Sequence, residues 1–154
     1  MNKSVCALLV FALACLVCAI PVALADPKFS ERDIKGPYGF AFDGFAGAAP
    51  GAPTAATLPV ASIGRFTADG HGKLEDGMRT LVLGGNAVQQ AFTCTYTVNA
   101  DGTGHADCTV TGAPDEHFDF VIVNKGDEAY FTAVPVTGQG AGTTTIRGLV
   151  KRQR

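Results

Sequence analysis

The sequence predicts an all-β fold, an antiparallel up-and-down barrel of about eight strands. Three observations lead to this prediction. Short stretches alternate apolar with polar residues, Asp-Gly and other glycine-rich turns separate them at regular spacing, and no long stripe has helical periodicity. The 19 glycines also argue against an all-helical chain. Alternation does not separate a closed barrel from a two-sheet sandwich, and both stay open at this point.

The first 25 residues have the three parts of an export signal. Lys3 gives the positive start, residues 5–20 are almost wholly apolar, and residues 23–25 (Ala-Leu-Ala) offer small side chains to a signal peptidase. Cleavage would leave a chain that starts at Asp26, and the predicted location is periplasmic or extracellular. A retained membrane anchor is the alternative. Because no second apolar run of spanning length follows, no stable membrane insertion is expected.

The remaining chain is long enough for one domain with a single core. Residues 26–36 are charged and unpatterned, so they are expected to form a mobile lead-in, and residues 37–154 are expected to form the barrel. The chain has a formal net charge of −2 and no basic cluster. This charge argues against nucleic acid as a partner.

The strands follow from the turn residues that separate them. Tyr38, Phe40 and Phe42 alternate in the first strand. Residues 46–59 contain three prolines and are expected to be a long loop, either a lid over one mouth or an ordinary connection. Seven further strands are expected at residues 60–67, 73–83, 87–98, 103–111, 117–124, 129–136 and 143–151.

Cys94 and Cys108 are the two cysteines that remain after cleavage, and the hairpin between them predicts a disulfide. A three-residue turn at residues 100–102 ends in a glycine and places Asn99 opposite Thr103. Counting back along both strands places Cys94 opposite Cys108. Residues opposite each other at a non-hydrogen-bonded site have Cα atoms about 4.5 Å apart, within disulfide reach. Two buried free thiols are the alternative.

Alternation also predicts which side chains face the interior. An eight-stranded barrel is just wide enough to be filled by its side chains or to hold one small ligand, so a cavity and a filled core are both open. The predicted inward-facing residues, which are the candidate ligand contacts, are Tyr38, Phe40, Phe66, Phe92, Tyr96, Phe118, Phe120 and Tyr130.

The meander of strands, the long first loop and the export signal resemble the calycins, in particular lipocalin-like barrels. Lipocalins carry Gly-x-Trp on their first strand, and residues 36–38 (Gly-Pro-Tyr) take a similar place here. The resemblance implies that a late basic residue, Arg147 or Lys151, packs over Tyr38. Allene-oxide-cyclase-like barrels share the architecture. The glycine-rich turns at residues 69–72 and 99–104 also resemble turns in small exported bacterial proteins, most of which have no assigned function.

The histidines and acidic residues show no recognised ligand spacing. His71 falls in a turn, and His105 and His117 fall on the predicted outer face, so all three are expected to be solvated surface residues. Asp115, Glu116 and Asp119 cluster near a hairpin tip and are expected to form a charged turn. No metal and no cofactor are predicted.

Three functions are consistent with this pattern. The first is an exported barrel that binds a small apolar or amphipathic ligand without chemistry. The second is a cyclase- or isomerase-type enzyme, which a shifted pKa at Tyr96 or Tyr130 would favour. The third is a structural or interaction module with a filled core. No nucleophile motif is present, so no catalytic residue is assigned and an enzyme is less expected than a binder.

Overall fold

Eight antiparallel strands close into a barrel, in which each strand pairs with its neighbour in sequence and β8 pairs with β1. The computed structural model describes residues 28–47, 57–134 and 144–154. The predicted export signal and the central part of the predicted 46–59 loop lie outside these residues. The strands are β1 (Lys35–Ala46), β2 (Leu58–Asp69), β3 (Lys73–Leu83), β4 (Asn86–Val98), β5 (Thr103–Val110), β6 (Glu116–Val123), β7 (Glu128–Ala133) and β8 (Thr145–Arg152).

The predicted fold class is confirmed, and closure decides between the barrel and the sandwich. The strand bounds agree closely with the predicted ones, except that β1 and β2 run further into the expected loop. Pro59 lies within β2, where it pairs with Phe45 of β1. Proline is tolerated there because the pairing of β2 with β3 starts only at Val60. Within the described ranges, helical structure is limited to two short 3-10 turns, and no helix is long and apolar enough to cross a bilayer.

The two ends of the barrel differ. One end, here called the capped end, carries residues 28–34 and the 3-10 turn at Asn124–Gly126. The other, here called the link end, carries the β1–β2 and β7–β8 connections, each of which lies partly outside the described residues. The cavity described below lies between these two ends.

Most of the segment that was expected to be a mobile lead-in, residues 28–36, has regular structure and contacts with the barrel. Residues Glu31–Asp33 form a 3-10 turn, and the Asp33 carboxylate accepts a hydrogen bond from the Ser30 amide at 2.8 Å. Ile34 is buried in the core, and β1 already starts at Lys35. Ser30 and Asp33 cap the turn, while Ile34, the one aliphatic residue of the segment, covers the end of the barrel.

Four phenylalanines on the inner face lie flat over glycines of a neighbouring strand. In each pair the two residues are direct cross-strand partners, and a Cβ added to the glycine would lie within 2.6 Å of the ring. The missing side chain therefore makes room for the ring against the backbone, an arrangement that helps sheets to curve. The pairs are Phe40 with Gly64, Phe92 with Gly77, Phe120 with Gly104 and Phe131 with Gly148.

The predicted disulfide is confirmed, and so is the register on which it was based. Cys94 and Cys108 are directly paired in the β4–β5 ladder and form a disulfide, with Cα atoms 4.1 Å apart. The turn is closed by Gly102, whose φ is 89° and whose amide donates to the Asn99 carbonyl at 2.9 Å. Both cysteines face inward and are buried, so the bridge is part of the core.

Candidate functional site

The inner face of the barrel is aromatic. Seven of the eight residues predicted to face inward line the interior, and Phe42 and Phe131 join them. Several rings meet edge to face; the centroids of Phe40 and Phe92, for example, are 5.8 Å apart with an interplanar angle of 76°. This geometry is favourable for aromatic pairs beyond the area they bury. The seven predicted residues are Tyr38, Phe40, Phe66, Phe92, Tyr96, Phe118 and Phe120.

The prediction that Tyr130 faces inward is wrong. Its side chain lies on the outer face and is 55% exposed. In β7 the inward-facing residues are Ala129 and Phe131, because Phe131 pairs with the inward-facing Phe120 of β6. Both phases of this short strand carry an aromatic residue, so alternation within the strand cannot choose between them. The pairing with β6 decides the phase.

The aromatic packing leaves a cavity of about 110 Å³ inside the barrel. An engineered apolar cavity of roughly 150 Å³ in another protein stays dry and binds benzene or xenon. Pockets for drug-sized ligands are larger, at roughly 300–1,000 Å³. The interior is therefore mostly filled, with a void that suits a small apolar group. Besides the aromatic residues, the apolar part of the lining consists of Ile34, Leu74, Cys94, Ala106, Cys108, Val110, Ile122, Ala129 and Val150.

At the capped end, the hydroxyls of both inward-facing tyrosines donate hydrogen bonds to backbone carbonyls. Tyr38 donates to the Gly126 carbonyl at 2.7 Å, and Tyr96 lies 3.0 Å from the Ile34 carbonyl and 3.1 Å from the Glu31 carbonyl. Burial raises the pKa of Tyr38 and raises the pKa of Tyr96 to about 12. Both hydroxyls therefore remain protonated at neutral pH. Their role is structural, because they tie the capping segments to the barrel.

A late basic residue does pack over Tyr38, but it is Arg152. The guanidinium carbon of Arg152 lies 5.2 Å from the centre of the Tyr38 ring, within cation–π distance. The same guanidinium donates to the Lys35 and Asp33 carbonyls, which fastens the start of β1 to the end of β8. Arg147 and Lys151, the residues that the resemblance proposed for this role, are exposed on the outer face of β8.

Comparisons with family models, curated proteins and solved structures find no match for this chain.

Near the link end, an ion pair between a buried arginine and a half-buried glutamate crosses the interior. Arg79 of β3 and Glu116 of β6 lie on strands that are not neighbours, and they form two hydrogen bonds of 2.7 and 2.8 Å. Gln90 of β4 accepts two more hydrogen bonds from the guanidinium. The Arg79 side chain is 4% exposed and that of Glu116 is 31% exposed. This polar bridge, here called the strap, borders the apolar cavity on the side of the link end.

The strap was not predicted from the sequence. Asp115, Glu116 and Asp119 were expected to form one charged turn, but the structure separates them. Glu116 faces inward to Arg79, Asp119 faces outward to His105, and Asp115 is exposed in the turn. The available signal was alternation in β6, since Glu116 has the same parity as Phe118 and Phe120, which were predicted to face inward.

Two histidines and two aspartates form a square on the outer face of β5 and β6, here called the His–Asp square. His105 is paired with Asp119, and Asp107 is paired with His117. The contacts are 2.7 Å from His105 Nδ1 to Asp119 and 2.6 Å from His117 Nδ1 to Asp107. The Asp119 carboxylate raises the pKa of His105, and the hydrogen bond with His117 lowers the pKa of Asp107.

The outward orientation of His105 and His117 agrees with the prediction, whereas their mutual arrangement was missed. His71 lies apart, exposed in the β2–β3 turn. Each strand carries the sequence His-x-Asp, at residues 105–107 and 117–119, and this repeat was the signal available in the sequence. It becomes informative only once the register of β5 against β6 is known.

Proposed function

We propose that the protein is an exported barrel that binds a small apolar molecule in its interior. The observation that carries the proposal is the cavity of about 110 Å³ inside the barrel, which exposes almost only apolar atoms. Apolar cavities of comparable size stay dry, and a guest that fills one recovers dispersion contacts that the void forfeits. The size of the void favours a ligand no larger than a single ring or a short hydrocarbon chain.

The polar groups of the interior favour an apolar ligand over one with a polar head. The Tyr38 and Tyr96 hydroxyls are used by backbone carbonyls. The Arg79 guanidinium makes four hydrogen bonds to Glu116 and Gln90. A polar head directed at the tyrosines or at Arg79 would have to break one of these contacts, which costs free energy in a desolvated site.

Enzyme activity of the cyclase or isomerase kind is the alternative, and the geometry favours it less. A shifted pKa at Tyr96 was expected to favour an enzyme. The pKa is indeed shifted, but it is burial that raises it. Its hydroxyl is directed at the backbone carbonyls of the capping segment. Tyr130, the other candidate, is on the outer face.

Two further observations support the exported, calycin-like part of the proposal. The Cys94–Cys108 disulfide is typical of an oxidising compartment. The contact between Arg152 and Tyr38 supplies the basic residue over a first-strand aromatic that the resemblance implies. Mass analysis of protein secreted by its own host tests export. We expect a chain that starts at Asp26 and is two hydrogens lighter than its reduced form; a chain that keeps residues 1–25 would contradict export.

The binding proposal is tested by NMR titration of isotope-labelled protein with benzene, with naphthalene as the oversized control. We expect saturable shifts for benzene at residues that line the cavity, such as Phe92 and Phe120, and none for naphthalene. Ala106 lines the cavity, whereas Ala91 is exposed on the outer face of β4. Ala106→Ile should abolish the benzene shifts, and the matched variant Ala91→Ile should retain them.

Ala129→Ile serves as a second filling variant if Ala106→Ile does not fold, because Ala129 also lines the cavity. Two results would overturn the proposal. One is the lack of any saturable benzene shift in the folded protein. The other is a set of shifts that both filling variants leave unchanged, which would place the ligand on the outer surface.

A further inference from the structure

The His–Asp square brings four potential metal ligands together on one side of a two-stranded ladder. In β5, Ala106 faces the core, so its neighbours His105 and Asp107 both face outward. In β6, Phe118 faces the core, so its neighbours His117 and Asp119 also face outward. The antiparallel register then places each histidine opposite the aspartate of the other strand. The backbone of two regular strands thus fixes the positions of all four Cβ atoms.

Three donor atoms of the square converge on one point. The Asp107 Oδ1 atom lies 3.1 Å from His105 Nε2 and 2.6 Å from His117 Nδ1. The ligand atoms of these three residues all lie within 4.8 Å of one another. With bonds of about 2.0–2.2 Å, two ligand atoms on a tetrahedral zinc ion are about 3.4 Å apart. Zinc binding would therefore require the Asp107 carboxylate to move back from the imidazoles and the two rings to adjust to that spacing.

Asp119 provides an independent reason to regard the square as a built site. Its carboxylate lies 2.7 Å from His105 Nδ1, so an Nδ1–H group donates a hydrogen bond to Asp119. His105 Nε2 lies 3.1 Å from Asp107 Oδ1, so in the metal-free protein a proton on Nε2 is shared with that carboxylate. A metal ion would take the place of this proton and bind Nε2 and Asp107 together. Metal-binding histidines are commonly oriented in this way, by a carboxylate that holds the other ring nitrogen.

We propose that His105, Asp107 and His117 bind a divalent transition-metal ion of the zinc and copper class, with Asp119 as a positioning residue. Two imidazole nitrogens and one carboxylate oxygen suit this class, whereas calcium and magnesium prefer all-oxygen ligands. The side chains of His105, His117 and Asp107 are 41%, 24% and 56% exposed, so an ion reaches them from solvent. Water would complete the coordination.

Isothermal titration calorimetry with zinc chloride tests the site, on protein that carries no histidine tag and has been treated with a chelator. We expect one zinc ion per chain and no response to calcium. His117→Gln and His105→Gln should each weaken binding by at least tenfold, because each removes one of only three protein ligands. His71→Gln is the matched control, since His71 is exposed in a turn, and should bind zinc as the parent does.

The positioning role of Asp119 requires a readout that general stability would not change. Asp119→Asn keeps the shape of the side chain and should weaken zinc binding by about 10–100-fold. Before zinc is added, and at a pH where the ring is neutral, nitrogen NMR shifts of His105 should show mainly the Nδ1–H tautomer in the parent and a mixture of tautomers in the variant. An unchanged affinity together with an unchanged tautomer would overturn this role.

NMR of the histidine side chains keeps the proposal testable even if a histidine variant does not fold. Added zinc should shift the ring signals of His105 and His117 in the parent protein and leave those of His71 unchanged. The metal site would be overturned by the lack of stoichiometric zinc binding. It would also be overturned by binding that depends on His71, or by binding that the substitutions of His105 and His117 leave unchanged.

Discussion

The inner and outer faces of this barrel come from the same alternation of residues but have different properties. On the inner face, rings lie on glycine backbone and a disulfide joins two strands, so few atoms can move. On the outer face of β5 and β6, the polar side chains of the His–Asp square are partly exposed. The inner face therefore determines stability, whereas the outer face offers ligand atoms at little cost in stability.

The strap differs from the rest of the inner face because it is charged. It places a charge pair on the inner face, where burial makes each partner depend on the other. We therefore expect losses of different size in the free energy of unfolding. An inner-face substitution that leaves a charge unpaired should cost most, one that removes a cross-link or disturbs packing should cost less, and a substitution on the outer face should cost least. Four substitutions sample this series.

Removal of the strap carboxylate should have the largest effect. Glu116→Ala leaves the Arg79 guanidinium buried without its counter-charge, so we expect a loss of about 4 kcal/mol in the free energy of unfolding, measured in urea. Addition of Arg79→Met to this variant should recover part of the loss, because the unpaired charge is then gone. Asp115→Ala, at the exposed neighbouring residue, should change stability by less than about 0.5 kcal/mol. A loss below about 1 kcal/mol in Glu116→Ala would contradict the buried ion pair.

Removal of the disulfide should have the next largest effect. The two cysteines are 14 residues apart, and a cross-link that closes a loop of this length contributes roughly 3 kcal/mol. We expect the double variant Cys94→Ala/Cys108→Ala to lose about this much in urea denaturation. A double variant as stable as the parent would show that the bridge adds nothing to the inner face.

Filling the space beneath an aromatic ring should lower the free energy of unfolding less than loss of the strap carboxylate or of the disulfide. A Cβ at Gly104 would lie 2.4 Å from the Thr97 carbonyl oxygen and 2.2 Å from the Phe120 ring. Since the backbone oxygen cannot move aside, Gly104→Ala should lose about 2 kcal/mol by thermal or urea unfolding. Gly39→Ala is the matched control, because the nearest atom to its Cβ would be in the flexible Gln153 side chain, at 3.5 Å. Equal losses in the two variants would argue against close packing of rings on glycine.

A change on the outer face should have the smallest effect, and its sign depends on pH. The pKa of His105 is raised by Asp119, so this pair stabilises the fold fully below the ordinary histidine value of about 6.5 and loses that contribution as pH rises through the raised pKa. The residues are exposed, so we expect metal-free Asp119→Asn to lose a few tenths of a kcal/mol at about pH 5.5 and less at about pH 8. A larger loss at the higher pH would contradict this sign.

The sequence was most informative where local chemistry determines geometry. The turn at residues 100–102 sets the register of β4 against β5, and that register is sufficient to place Cys94 opposite Cys108. Closely spaced turns likewise gave the strand bounds. Alternation placed seven of the eight candidate cavity residues on the correct face.

The errors have a common origin in relations between strands. Tyr130 was misplaced because β7 carries an aromatic residue in both phases and only its pairing with β6 distinguishes them. The phase of Arg79 was hidden by a register irregularity between Leu74 and Gly77 in β3. Its ion pair with Glu116 requires closure of the barrel, and the His–Asp square requires the β5–β6 register. None of these relations is encoded in a single strand.

Crystals of the protein pressurised with xenon would test the central claim, that the inner face packs around an apolar void, most directly. We predict a xenon atom inside the barrel, among the apolar side chains that line the cavity, with the positions of the surrounding rings nearly unchanged. Xenon found only on the outer surface, or an interior with no room for it, would contradict the account.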